Sequence, residues 1–315
     1  RRLGEYCQQD VRAEMACHDR LIGLRPQEQE IWFLDAEIND RGVGIDTDLC
    51  RIADSVVTEY VRRLDRELAR LTEWQVTSVT STADLRAWLN GQGCVVNSVA
   101  KDVLADLLAR DDLSPEVRRA LEIRQEGAKS STAKLSAMLR RRQADGRMRG
   151  NLQYWGASTG RWAGRGAQLQ NLPRQDEGFD QDTAIKVLRK GSIPLIEAFY
   201  DEAPPALVSQ SLRGVIQAAP GHRLMAADFS MIEARVNPWL AGQNKTLDAF
   251  RAYDEKRGPD IYKVQAAGIY GVPVAEIGKD IRRQVGKVAV LALGFGGGPA
   301  AFIKMGKNYA LDVLT

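Results

Sequence analysis

At 315 residues, 44% of them hydrophobic and 27% charged, the sequence is long enough to bury a core and to divide into two or three units, and no apolar run reaches bilayer length. Four scattered cysteines without a C-x-x-C pair, with only two histidines, argue against a zinc centre and read as free thiols in a reduced cytoplasm. Net charge is only +3, yet thirteen Lys or Arg stand against three acids (Glu122, Glu126, Asp145) between Arg118 and Arg174, a stripe that suits either a nucleic-acid backbone or a solvated helix face.

The chain opens on Arg1-Arg2-Leu3-Gly4-Glu5-Tyr6, with no initiator Met and no secretory apolar core, and is expected to be a piece of a longer polypeptide. Residues 1–30 read as a helix carrying Tyr6 and Asp10 and ending near Gly23 to Pro26. A new unit begins at Ile31. The turn Asn39-Asp40-Arg41-Gly42 leads to Val43-Gly44-Ile45, where Asp46 or Thr47 caps a long amphipathic helix with Leu49, Ile52, Val56, Tyr60, Leu64 and Leu68 at three- and four-residue spacing. A helix pair follows at 82–89 and 101–108, and Ser114-Pro115-Glu116 opens another helix running toward Leu135 and Leu139.

From Asn151 to Pro173 the chain is rich in Gly, Ser, Gln and Asn with embedded Arg, which predicts extended or irregular backbone suited to contact. Pro204-Pro205 separates off a helical stretch from Ser209 to Ile216. The apolar run Leu224-Met225-Ala226-Ala227, bounded by the turn Pro220-Gly221, predicts a buried strand ending in Asp228, then a helix that stops at Gly242. Residues 260–302 are helical in pattern, interrupted at Gly271 to Pro273 and at Gly296-Gly297-Gly298-Pro299.

An aspartate at a strand end can bind Mg²⁺ with a neighbouring main-chain carbonyl, and Glu233 lies within reach of the same point. A helix N-cap Asp followed by a solvated Glu is the commoner reading of those letters alone. Arg283 and Lys287, four residues apart, share a helix face that Leu291 and Phe295 continue, so cations and an apolar aromatic surface could meet a nucleoside triphosphate. Two exposed cations above two core residues is the plain alternative. Gly286 and Gly294 each cost about 1 kcal/mol in a helix relative to alanine, so close approach is expected there.

In these places the sequence resembles DNA polymerases of family A, the DNA polymerase I type. Asp228-Phe229-Ser230-Met231-Ile232-Glu233-Ala234-Arg235 resembles motif A, and Arg283-x-x-x-Lys287 through Gly294-Phe295-Gly296 resembles motif B. Asp260-Ile261-Tyr262-Lys263 through Tyr270-Gly271 resembles the fingers segment. Thr159-Gly160-Arg161 with Gln170-Asn171-Leu172-Pro173 resembles the primer-template stretch, and Arg213 the arginine ahead of motif A. The wording around Gly156 to Trp162 and Leu291 to Gly297 is nearest bacteriophage-type members, and Tyr6-x-x-x-Asp10 resembles the last motif of the preceding 3′–5′ exonuclease.

The resemblance implies an α+β right-hand fold with a helical thumb, a partial antiparallel palm sheet and helical fingers. Residues 1–30 would end an exonuclease domain, 31–150 form the thumb, 151–242 the palm and 243–315 the fingers. It implies template-directed DNA synthesis from dNTPs with two Mg²⁺ ions, Asp228 and the Phe229 carbonyl binding metal, and Glu233 excluding a ribose 2′-hydroxyl. Arg283 and Lys287 would hold triphosphate oxygens, with Lys287 also aiding catalysis; Leu291, Phe295 and Tyr262 complete the nucleotide site, and Arg161, Gln170, Asn171 and Arg213 touch primer-template DNA. Leu291, Phe295 and Tyr262 depart from the ring, hydroxyl or His that relatives carry, and Pro238 is expected to bend the helix after motif A. Nothing after Phe295 supplies the second catalytic carboxylate; Asp312 lacks its His-Asp-Glu setting, so the polypeptide by itself is expected not to polymerise. A non-catalytic DNA-binding module, or one half of a polymerase completed by a second polypeptide, are the alternative readings, in the cytoplasm of a bacterial or phage-infected cell and away from any membrane.

Overall fold

The computed structural model describes residues 2–279, 281–294, 296–307, 309 and 311, and divides the chain into two units, Arg1–Leu224 and Met225–Thr315. In the first unit, α1 (Arg2–His18) and α2 (Pro26–Arg41) bury no residue. Pro26 sits in the first turn of α2, where its missing N–H is no loss, so one helix runs through Ile31, the expected start of a new unit. Gly42 ends α2 with φ 65°, and a Cβ there would lie 2.4 Å from the Met148 carbonyl oxygen, so only glycine fits.

The next strand, β1 (Val43–Ile45), feeds α3 (Thr47–Leu71), the spine of the unit. The Asp46 carboxylate accepts from the Leu49 amide at 2.9 Å, capping α3 as the sequence predicts, and also pairs with Arg189. Leu49, Ala53, Val56, Tyr60, Leu64 and Leu68 are buried along one face; each large apolar side chain so buried contributes about 1.5–3 kcal/mol. Against α3 and its extensions lie α4 (Thr82–Gly91), α5 (Lys101–Leu108), α6 (Pro115–Gly127) and α7 (Ala133–Arg141) in one continuous core. The single helix expected from Pro115 to Leu139 is therefore two. Gly127 sits against Val79 and Leu64, where a Cβ would come within 2.9 Å, and the chain turns through a 3-10 segment before resuming.

Short strands β2 (Arg147–Met148), β3 (Leu152–Gln153) and β4 (Ala163–Gly164) follow, then α8 (Gln181–Leu188), α9 (Ile193–Phe199), α10 (Pro204–Ser211) and β5 (Ile216–Gln217). Pro204 and Pro205 open α10 instead of merely preceding a helix at Ser209. The order β2-β1-β5 makes an antiparallel sheet with Val43 opposite Met148 and Ile45 opposite Ile216; β3 and β4 form a separate hairpin.

The second unit holds α11 (Ile232–Leu240), α12 (Asn244–Asp254), α13 (Ile261–Tyr270), α14 (Ile281–Leu293) and α15 (Pro299–Lys307), with small cores around Ala266 and Ile277 and around Val288, Ala292 and Leu311. Leu224 to Ala227 do not form the expected strand. Residues 221–230 are exposed, Met225 82% so, and no strand among the described residues pairs with them. Without a ladder partner, an apolar run cannot satisfy its backbone as a strand. Pro238 lies inside α11, which continues to Leu240. The whole is mostly helical with small antiparallel sheets, an α+β fold, and no described helix is long and apolar enough to cross a membrane.

Candidate functional site

The second unit gathers most of the motif residues. Met231, with φ 52°, turns the chain into α11 and places Glu233 in its first turn. Asp260 caps α13 by accepting from the Tyr262 amide at 2.8 Å, and its other oxygen accepts from Arg283 Nε at 2.6 Å. That carboxylate thus fastens α14 to the start of α13. The Arg283 guanidinium also lies 5.2 Å over the Tyr262 ring. Burial first, and then the Asp260 charge, pushes the Tyr262 phenol pKa up.

At Gly286 the helices touch: a Cβ would lie 2.0 Å from the Tyr262 carbonyl oxygen and 3.0 Å from the Ala266 Cβ. The close approach that the sequence demanded is therefore present. Asn237 Nδ2 donates to the Gly294 carbonyl at 3.2 Å, tying α11 to the end of α14. Between these three helices Met231, Glu233, Ala234, Tyr262, Val290, Leu291 and Gly294 line a cleft of about 40 Å³. Small-molecule sites usually need several hundred Å³, so this cleft accepts one edge of a ligand, not a whole nucleotide. Lys287 holds its Nζ 4.5 Å above the Tyr309 ring.

Arg235 is structural. It pairs with both oxygens of Asp254 at 2.6 and 2.8 Å, donates to the Ser230 carbonyl at 2.9 Å, and lies 4.6 Å over the Phe250 ring. Asp228 and Phe229 do not line the cleft. Both are exposed, Phe229 81% so, in backbone that belongs to no strand. Among the described residues no three His, Cys, Asp or Glu gather as a metal would require, and Asp228 with the Phe229 carbonyl offers one carboxylate and one carbonyl. The described residues do not by themselves fit a two-ion Mg²⁺ centre. Phe295 and Asp312 lie outside the described residues.

The remaining predicted site residues belong to the first unit. Arg213 donates from Nε to the Pro173 carbonyl at 2.8 Å and from Nη2 to the Leu172 carbonyl at 2.9 Å, so it shapes the Gln170 to Pro173 stretch from behind. The Gln170 side chain lies over Gly164, where a Cβ would come within 2.0 Å of it. Asn171 Nδ2 donates to Gln168 Oε1 at 3.0 Å on an exposed surface. Arg161 is exposed between β3 and β4, and Tyr6 and Asp10 are exposed on α1.

Much of the basic stripe is spent on the fold. Lys134 donates to the Ala167 carbonyl at 2.9 Å, Arg141 to that of Gly150 at 2.8 Å, and Arg147 to those of Arg41 and Gly42 at 2.6 and 2.8 Å. Arg119 pairs with Glu67 and Glu126. Sequence reading did not single out Asp260, Asp254 or Tyr309 as partners. Asp260 had a signal in its place just ahead of a helical pattern, the position of an N-cap; the other two had none.

A chain with this fold and these motif positions is of the polymerase class, and comparison with known proteins agrees. Residues 48–304 match DNA polymerase family A. The chain is 43% identical over 305 residues to the DNA polymerase of Bacillus phage SP02, covering 96% of this chain and 46% of that protein. It is 28% identical over 187 residues to DNA polymerase I of Pseudomonas aeruginosa, covering 59% of this chain and 16% of that one. Among solved structures, the POL domain of Pol1 from M. smegmatis in complex with DNA primer-template and dNTP resembles it in fold, with TM-score 0.60 and 19% identity over 87% of this chain and 43% of that one. The chain belongs to DNA polymerase family A. It spans less than half the length of each of these relatives.

Proposed function

We propose that this chain carries the primer-template and deoxynucleotide contacts of a template-directed DNA polymerase, in which a primer 3′-hydroxyl attacks the α-phosphorus of a bound dNTP and releases pyrophosphate. The observation that carries the reading is the cleft where Glu233, Tyr262 and Leu291 meet, held by the Gly286 contact, within a family A chain. Its small volume suits the edge of a sugar beside Glu233, and a 2′-hydroxyl would crowd that carboxylate. Arg283 uses Nε on Asp260, and its Nη groups would meet phosphate oxygens; Lys287 adds a second cation one turn on. Leu291 and Phe295 would border base and sugar. Arg161, Gln170 and Asn171 would read the backbone and minor-groove edge near the primer end, on a stretch that Arg213 shapes.

In this reading residues 31–150 are the thumb, 151–242 the palm and 243–315 the fingers, with 1–30 the end of an exonuclease domain. Family members use divalent metal, and Mg²⁺ is the ion Asp228 would help to hold; the described residues supply only part of its ligand set. The setting is the cytoplasm of a bacterial or phage-infected cell. Dissociation constants of deoxy- and ribonucleoside triphosphates on a chain–primer-template complex test the reading. Glu233→Ala should bring the ribonucleotide constant to within a few fold of the deoxynucleotide one, and undiminished discrimination removes Glu233 from this role. Lys287→Ala should weaken nucleotide binding about tenfold with primer-template affinity unchanged, whereas a loss confined to DNA affinity contradicts the assignment.

A further inference from the structure

The hairpin β3–β4 carries an aromatic cluster that the proposed chemistry does not use. Tyr154 is flanked by Trp155, with ring centroids 6.1 Å apart at 79°, and by Trp162, 5.1 Å away at 57°. The polar ends of two rings are occupied: the Tyr154 hydroxyl donates to Glu28, and Trp162 Nε1 donates to Asp35 at 2.6 Å. Both carboxylates belong to α2 and are engaged by these bonds. Trp155 stays 61% exposed and Trp162 40%. Trp155 is held in place all the same. Its backbone takes a left-handed φ of 51°, and Gly160 lies so close that a Cβ would sit 3.3 Å from the indole.

An exposed indole leaves apolar surface in water, and a left-handed backbone at a non-glycine residue stores conformational strain. Charge indicates what covers it. From residue 146 to 175 the sequence contains five arginines and no acid; Arg147 and Arg149 are tied to backbone carbonyls and to Asp145, while Arg161, Arg165 and Arg174 are exposed. Cations interleaved with aromatic faces fit a strand of unpaired nucleic acid, whose phosphates meet arginine while bases stack on rings. A duplex cannot use the platform in the same way, because its base faces are already stacked on one another.

We propose that the β3–β4 hairpin is a stacking platform for an unpaired base of single-stranded nucleic acid, with the exposed face of Trp155 as the base-binding surface. The ligand class rests on the polymerase reading above; the position and stacking mode rest on the hairpin itself. Trp162 and Tyr154 brace the platform, and Arg165 holds a flanking phosphate.

The test titrates the full chain, as wild type, Trp155→Ala and Trp155→Phe, with a labelled oligothymidylate 12-mer, an abasic 12-mer of equal charge and a blunt primer-template duplex. Trp155→Ala should weaken oligothymidylate binding about tenfold, the size of one base–aromatic stack, while Trp155→Phe keeps most of the affinity. The abasic strand and the duplex should bind wild type and Trp155→Ala alike. Equal oligothymidylate affinity for Trp155→Ala and wild type overturns the platform, and so does an equal loss on the abasic strand, which would mark a change in charge presentation or fold. If wild type holds oligothymidylate through Trp155 but does not bind the duplex, the platform stands and the polymerase reading falls.

Discussion

Asp260 uses its two oxygens for two helices, one accepting from the Tyr262 amide and the other from Arg283. Beside it, the Gly286 contact brings α13 and α14 backbone to backbone. Alanine at 286 would gain about 1 kcal/mol in helix propensity. It would also push a methyl group into the Tyr262 carbonyl, and overpacking of this kind costs typically 1–3 kcal/mol. Because the obstacle is backbone, which cannot rotate away, the cost should win. Gly286→Ala is predicted to lower the urea midpoint of the second unit, read by hydrogen exchange of α13 and α14 amides, and to weaken nucleotide binding with it; an unchanged midpoint would mean that the helices are not in contact. This position was legible in sequence because a glycine inside a helix needs a reason. The Arg283 partner was not legible, since Asp260 lies 23 residues away and only the packing of two helices brings them together.

At the scale of elements, period and capping carried as far as local physics reaches. The three- and four-residue spacing from Leu49 to Leu68 and the Asp46 cap describe α3 as it folds. Asp46→Ala should remove both the Leu49 amide bond and the Arg189 pair, costing about 1–2 kcal/mol of first-unit stability in urea unfolding. Asp46→Ser should recover the cap share alone, and a serine variant no better than alanine would assign the loss to the ion pair. Two elements escaped the sequence for a shared reason. The break between α6 and α7 follows Gly127, whose close packing on Val79 and Leu64 from elsewhere in the chain excludes a side chain there, and the run at Leu224 to Ala227 lacks the pairing strand that would make it one. In both, a non-local neighbour decides what the local pattern leaves open. The same holds for the basic stripe, where only the folded chain distinguishes arginines tying carbonyls from those facing outward.

Across the whole molecule, burial raises the pKa of proton-holding groups in both units, Cys50 and Tyr60 in the first and Tyr262 in the second. Cys50 is fully buried in the first unit, and burial, followed by the charges of Asp46 and Asp54, pushes its thiol up to about 12 from an ordinary 9.0. Tyr60, in the same helix, is raised by burial and then by its 2.8 Å hydrogen bond to Glu126. Both groups hold their protons more tightly folded than unfolded. Between pH 9 and 12 the unfolded chain therefore releases a proton from Cys50 that the folded chain keeps, so stability is complete below pH 9 and falls as pH rises. One such group gives a slope of up to about 1.4 kcal/mol per pH unit. Urea midpoints of the first unit, followed from pH 8 to 11, should drop along this slope, with the Tyr60 contribution added above about pH 10. Cys50→Ala loses some packing at every pH, so its midpoints should start lower, yet its curve should be flatter than wild type above pH 9. Parallel curves for the two proteins would show that the thiol does not titrate with unfolding, and that the alkaline loss belongs to Tyr60 and the rest of the chain.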